Sequence, residues 1–121
     1  MSSMTDGELK QAREGWQRLS EADVELLHLK EKDYRGSWRK RGGIGAYMML
    51  ARKFDRLEEA AQRCNYDIFE AIDCDRRPDG ILDDIRDLRC YLLLVEEHVT
   101  QHGNEVVETQ YGPVMVEARR K

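Results

Sequence analysis

Two runs of apolar residues at helical spacing constrain the fold of this chain more than any other feature. The run within residues 44–63 consists of Tyr47, Leu50, Phe54, Leu57 and Ala61. The run within residues 81–102 consists of Ile81, Ile85, Leu88, Leu92, Val95 and Val99. Steps of three and four residues place side chains on one face of an α-helix, so each run predicts an amphipathic helix. Because two such faces can bury each other, we predict an all-α fold, a small helical bundle.

Capping signals divide the N-terminal third into two further predicted helices. Thr5 and Glu8 have the spacing of a capping box, which predicts a helix from there to Leu19. Ser20, with acidic residues close behind it, predicts the N-cap of a second helix. This second helix is expected to end shortly before Gly36, which permits a turn.

The C-terminal segment differs from the helices in composition. Gly103 is well placed to end the last helix, and valine-rich stretches lie on both sides of Gly112 and Pro113. β-Branched residues around a Gly-Pro pair are typical of an extended arm or a short hairpin, with a frayed tail as the alternative. We therefore predict a helical domain over residues 1–103 and an arm or tail over residues 104–121.

Composition indicates the cellular compartment in which the chain is expected. A mean hydropathy of −0.75 and the lack of any long apolar run exclude a membrane span. Residues 1–10 carry acids and no apolar stretch, so no secretory signal is expected. The three cysteines, Cys64, Cys74 and Cys90, lack Cys-x-x-Cys spacing and are expected to be reduced thiols. Together these features predict a cytoplasmic protein.

The formal net charge of −4 hides an uneven distribution along the chain. Residues 30–63 hold ten Lys or Arg against five acids, whereas residues 64–110 hold twelve acids against four Arg. An acidic chain is not expected to bind nucleic acid in general, but its basic region suits a small phosphorylated ligand. The alternative is that the basic and acidic regions face each other in the fold.

Two polar pairs lie beside the apolar faces of the two strongest helices. Lys53 and Arg56 are three residues apart on the first, and Asp84 and Asp87 are three apart on the second, one turn before Tyr91. If the faces pack together, both pairs are expected at the rim of one groove. The basic pair could donate to phosphate and the acidic pair could provide half of an Mg²⁺ site. The alternative is an interhelical salt-bridge network without a ligand.

A second group of candidate residues precedes the basic pair. It consists of Lys30, Asp33, Tyr34, Ser37 and Trp38. A cation, a carboxylate, a hydroxyl and two rings are the groups with which proteins contact phosphate, sugar and base. The alternative for Trp38 is simple packing.

This combined pattern resembles the nucleotide modification associated domain family of phages and bacteria over residues 26–99. The resemblance rests on Lys30-x-x-Asp33-Tyr34-x-x-Ser37-Trp38, Lys53-x-x-Arg56 and Asp84-x-x-Asp87-Leu88-x-x-Tyr91. That family is similar, at a distance, to the all-α MazG and dimeric dUTPase-like nucleotide pyrophosphohydrolases. The resemblance implies a helical bundle, often dimeric, that handles a nucleoside phosphate.

One motif of the pyrophosphohydrolases is replaced in this chain. In those enzymes a Glu-x-x-Glu pair on one helix and a Glu-x-x-Asp pair on the next bind Mg²⁺. Asp84 and Asp87 match the second pair, with Asp84 in place of its glutamate, whereas Lys53 and Arg56 stand where the first pair would be. Cations at those positions repel Mg²⁺ and can neutralise the aspartates, which favours binding over hydrolysis.

The leading hypothesis is a protein that binds, and by binding sequesters, a nucleotide or nucleotide-derived signal without a required cofactor. Its predicted binding residues are Lys30, Asp33, Tyr34, Trp38, Lys53, Arg56 and Tyr91. The phage associations of the family suggest a role in DNA modification or in countering host defence. A homodimer or higher homo-oligomer is expected, with no membrane partner.

Two alternatives remain open. One is an Mg²⁺-dependent nucleoside triphosphate pyrophosphohydrolase, with Asp84 and Asp87 as metal ligands. The other is a non-catalytic interaction module in which residues 105–117 dock a partner.

Overall fold

A computed structural model describes residues 3–101, 104–110 and 112–117. Within these residues the chain forms four α-helices and two strands: α1 (Asp6–Tyr34), α2 (Gly42–Gln62), α3 (Ile68–Cys74), α4 (Ile81–Gln101), β1 (Asn104–Thr109) and β2 (Gly112–Glu117). Helices dominate, so the predicted all-α fold class is confirmed. None of the helices in this part of the chain combines the length and the hydropathy that a membrane crossing requires.

The N-terminal third is one long helix. Thr5 is its N-cap, as predicted, and the hydroxyl of Thr5 accepts a hydrogen bond from the Glu8 amide at 3.1 Å. The predicted second start at Ser20 is wrong, because Ser20 lies inside α1. A serine can cap a helix, but it can also lie inside one when its neighbours are helix formers, as they are here. The helix ends as expected at the turn, with Arg35 and Gly36 in the left-handed region.

The contacts within the chain divide it into two compact units. One is Met1–Lys40, which contains α1 and a 3₁₀ turn over Ser37–Arg39. The other is Arg41–Lys121, which contains the remaining helices and the strands. The boundary predicted at residue 103 stays a prediction.

Helices α2 and α4 pack against each other in the second unit. The predicted faces are buried only in part: Ile81 is buried and Leu50, Leu57, Ile85 and Leu88 are half-buried. The prediction is wrong for Tyr47 and Phe54 on α2, which are 66% and 55% exposed, and for Leu92 on α4, which is 50% exposed. Ala46, Asp84 and Cys90, which lie outside the predicted faces, are buried as well. A charged residue therefore lies buried among the apolar residues of this unit.

The C-terminal segment forms a hairpin. Strands β1 and β2 are antiparallel, with Asn104 opposite Glu117 and Thr109 opposite Gly112. This agrees with the hairpin alternative, and β1 contacts α4. The predicted stop at Gly103 lies outside the described residues.

The turn before α4 is organised by Asp75. Its Oδ2 accepts the Ile81 amide at 2.6 Å, and its Oδ1 accepts the Arg77 amide at 3.2 Å and the Arg77 Nε at 3.0 Å. A Cβ on Gly80 would collide with the Asp75 carboxylate, so this close approach requires glycine. The carboxylate therefore satisfies an unpaired amide at the start of α4, which fixes where the helix begins.

Acid is expected to weaken the fold through Asp75. The Arg77 side chain, and then the Ile81 amide, lower the pKa of Asp75 from 3.8 to about 2. Because the pKa is lowered on folding, the stabilisation is fully present above the unfolded value and is lost as the pH falls from about 4 to about 2. Urea unfolding of the wild type and Asp75→Asn should therefore differ at pH 7 and converge towards pH 2. The control is Asp73→Asn, a substitution of an exposed neighbour. The assignment is contradicted if the stability difference between the wild type and Asp75→Asn stays constant from pH 7 to pH 2. It is also contradicted if Asp73→Asn shows the same convergence with the wild type.

Candidate functional site

The basic and acidic pairs meet between α2 and α4, as predicted. Lys53 Nζ lies 3.0 Å from Asp87 Oδ2, and Arg56 Nε lies 3.0 Å from Asp84 Oδ1. Each pair has a spacing of three residues, so its members lie on one side of their helix about one turn apart. Two ion pairs, about one helical turn apart, therefore join α2 to α4.

The two ion pairs differ in their exposure to solvent. The Asp84 side chain is 2% exposed, and its Oδ2 has no hydrogen-bond partner among the described residues. Asp87 is 18% exposed and also lies 3.6 Å from Arg86 Nη2. Arg56 is the cation that compensates Asp84, and its Nη2 donates to the Asp79 carbonyl at 3.4 Å. Among the described residues, Asp84 forms an ion pair with Arg56 alone, whereas Asp87 forms ion pairs with Lys53 and Arg86.

A cavity opens beside the ion pairs. It has a volume of about 170 Å³ and is lined by Met49, Arg52, Lys53, Arg56 and Tyr91. The structure thus brings together three of the predicted binding residues, Lys53, Arg56 and Tyr91. Sequence reasoning missed Arg52 and Met49. Helical spacing could have found Arg52, because it lies four residues before Arg56 and therefore on the same side of α2.

The cavity retains hydrogen-bond donors after the ion pairs have formed. An ammonium group has three N–H donors and a guanidinium group has five. Each of the two ion pairs is formed through one contact between a nitrogen and a carboxylate oxygen. Arg52 makes no ion pair or hydrogen bond to any residue in the described ranges. Three cations within one turn of helix, one of them uncommitted, form a suitable surface for the oxygens of a phosphate group.

The same geometry bears on Mg²⁺ binding. Asp84 and Asp87 are each already in contact with a basic side chain at 3.0 Å. Among the described residues there is no group of three His, Cys, Asp or Glu side chains arranged to hold a metal ion. Because Mg²⁺ is held by carboxylate oxygens, Asp84 and Asp87 would have to exchange these ion pairs for the metal in order to bind it, and their role as metal ligands stays a prediction.

The other four predicted binding residues lie in the first unit. Lys30, Asp33 and Tyr34 share one side of α1 near its C-terminal end and are exposed to solvent. Trp38 is half-buried on the 3₁₀ turn. Their role in binding a nucleotide stays a prediction.

The three cysteines differ in burial. Cys90 is buried, Cys64 is half-buried and Cys74 is exposed. Cys64 and Cys74 line a second cavity of about 320 Å³. Burial, and then the nearby Glu70, raise the pKa of the Cys64 thiol, which keeps it protonated and poorly reactive at neutral pH.

Comparison of the chain with protein-family models, with curated proteins and with solved structures found no match. The family resemblance drawn from the motifs therefore stays a prediction. The function has to be argued from the site itself.

Proposed function

We propose that this protein binds a nucleotide or a nucleotide-derived signal, holding a phosphate group in the cavity between α2 and α4. The observation that carries the proposal is the lining of that cavity by Arg52, Lys53 and Arg56, three cations on one side of one helix. Charge-assisted hydrogen bonds from such groups to phosphate are among the stronger polar contacts in proteins. Tyr91, on the facing helix, adds a ring and a hydroxyl for the remainder of the ligand.

Binding without turnover follows from the chemistry of the two aspartates. Hydrolysis of a nucleoside triphosphate by the pyrophosphohydrolases that the motifs resemble needs several carboxylates to hold Mg²⁺ and to position water. Here the two candidate carboxylates are compensated by Lys53 and Arg56. The proposed role is therefore capture, and a protein that captures a signalling nucleotide lowers its free concentration.

The proposal is tested by calorimetry in EDTA against nucleoside mono-, di- and triphosphates. We expect the wild type to bind at least one class, and Arg52→Gln to weaken that binding about tenfold through the loss of one charged donor. The matched control is Arg63→Gln, which removes one charge about 16 Å further along the helix axis. In the part of the chain that the structure describes, Arg63 forms an ion pair with Glu59 at the surface, so its loss should leave binding unchanged.

Failure to bind any of these ligands would refute the proposal. Equal weakening by both variants would show that overall charge, not this cavity, attracts the ligand. Release of pyrophosphate from a triphosphate in Mg²⁺, abolished in Asp84→Ala, would favour the pyrophosphohydrolase instead.

Self-association is part of the same proposal. Large apolar side chains remain exposed on two helices of the second unit, among them Tyr47 and Phe54 on α2 and Leu92 and Leu93 on α4. Apolar surface of this kind commonly marks an interface with another protein. A second copy of the chain is the partner that the sequence led us to expect, and sedimentation equilibrium of the wild type measures it; a monomer at all concentrations would contradict it.

A further inference from the structure

The cavity carries little net charge. Its three lining cations face two carboxylates, because Asp87 is bound to Lys53 and Asp84 to Arg56. One formal positive charge, that of Arg52, is left over. Arg86 adds a second cation near Asp87, but it also lies 3.3 Å from Asp83. The site therefore has donors for a phosphate group without the charge that would compensate several phosphates.

The cavity is also small. Sites that enclose a whole small-molecule ligand usually measure ~300–1,000 Å³. The cavity at Arg52 measures about 170 Å³. It therefore accommodates one phosphoryl group with part of the adjoining sugar, and further phosphates of a chain would lie outside it.

From these two observations we propose that the site prefers one metal-free phosphoryl group, as in a nucleoside monophosphate, over a triphosphate, and that Asp87 sets this preference. This inference rests on the proposed function and specifies its ligand. A monophosphate carries close to two negative charges at neutral pH. Each additional phosphate adds negative charge that approaches Asp87 near the cavity wall, and Arg86, the further cation beside Asp87, is already shared with Asp83.

Asp87 is a better candidate for this role than Asp84. Asp84 is 2% exposed and is needed to compensate Arg56 inside the interface. Asp87 is 18% exposed, and its partner Lys53 lines the cavity. Neutralising Asp87 therefore changes the electrostatic field of the cavity while the buried ion pair stays intact.

The experiment compares dAMP, dADP and dATP in EDTA by calorimetry, with the wild type and Asp87→Asn. We expect the wild type to bind the monophosphate at least as tightly as the triphosphate. In Asp87→Asn one more cation is uncompensated, so affinity for dATP should rise about tenfold and affinity for dAMP about threefold. The control is Asp73→Asn, an exposed substitution of equal charge on α3, which should leave the ratio of the two affinities unchanged.

Each outcome bears on one proposal. If the wild type binds none of the nucleotides, including those of the wider panel, the proposed function fails. If it binds dATP more tightly than dAMP, the inference fails while the proposed function stands. If Asp87→Asn binds but keeps the wild-type ratio, or if Asp73→Asn changes that ratio equally, Asp87 does not set the preference. The wild-type comparison needs no variant, so a folding defect in Asp87→Asn leaves the proposed preference testable.

Discussion

Replacing Arg56 with methionine is expected to lower the free energy of unfolding by about 3 kcal/mol, because it leaves a buried carboxylate without its cation. Asp84 is 2% exposed, and its Oδ2 already lacks a hydrogen-bond partner among the described residues. Removal of Arg56 would take away the contact at 3.0 Å that compensates Oδ1. Methionine retains much of the aliphatic bulk, so the measured loss reports the charge. Urea unfolding monitored by circular dichroism provides the measurement.

Two companion variants test the cause of that loss. Lys53→Met should cost only about 1 kcal/mol, because Asp87 is partly solvated and keeps Arg86 nearby. The double variant Arg56→Met with Asp84→Leu should recover most of the stability, since replacing both members of a buried pair by apolar groups is often neutral. If the double variant is as unstable as Arg56→Met alone, the unpaired carboxylate is not the source of the effect.

The second large effect is expected at the start of α4. Ile81 is 2% exposed and is the most buried apolar side chain in the described core, so Ile81→Ala should cost about 3 kcal/mol through lost contacts and a residual void. Alanine keeps the backbone amide that donates to Asp75, so the anchoring hydrogen bond of the turn is preserved. The loss is measured as a lower urea midpoint of unfolding, with an unchanged dependence of the unfolding free energy on urea concentration.

The adjacent residue is the matched control for Ile81. Leu82 has a side chain of the same size on the same helix turn but is 64% exposed. Leu82→Ala should change the free energy of unfolding by about 0.5 kcal/mol or less. Comparable losses at the two positions would mean that Leu82 is buried in solution, for example by a second copy of the chain.

The ion pairs link stability to the proposed binding. Arg56 and Lys53 line the cavity and at the same time compensate the aspartates of α4. A cation held in place by a carboxylate is already oriented before a ligand arrives, which lowers the entropy lost on binding. The same carboxylates reduce the charge available to the ligand. Arg52 lines the cavity but compensates neither aspartate, so its loss should affect binding without affecting stability.

The sequence by itself determined the helices α2 and α4 and the spacing of their charged pairs. These features depend on local periodicity and on spacings of three or four residues, which any helix converts into a shared face. The Thr5 cap and the turn at Gly36 are local in the same sense. The predicted break at Ser20 failed because a serine that can cap a helix can also lie within one, and only the surrounding residues decide between the two.

Only the tertiary structure decided which side of each helix is buried. Packing leaves Tyr47 and Phe54 exposed and buries Asp84. Periodicity could not predict this outcome, because the apolar stripes are wide and tolerate several orientations, whereas the ion pairs at Asp84 and Asp87 favour one. The cavity beside Arg52 follows from the same orientation, since its wall joins residues of α2 to Tyr91 of α4. Tyr91 is far along the chain from the α2 residues, and its distance from them is set by packing between the helices.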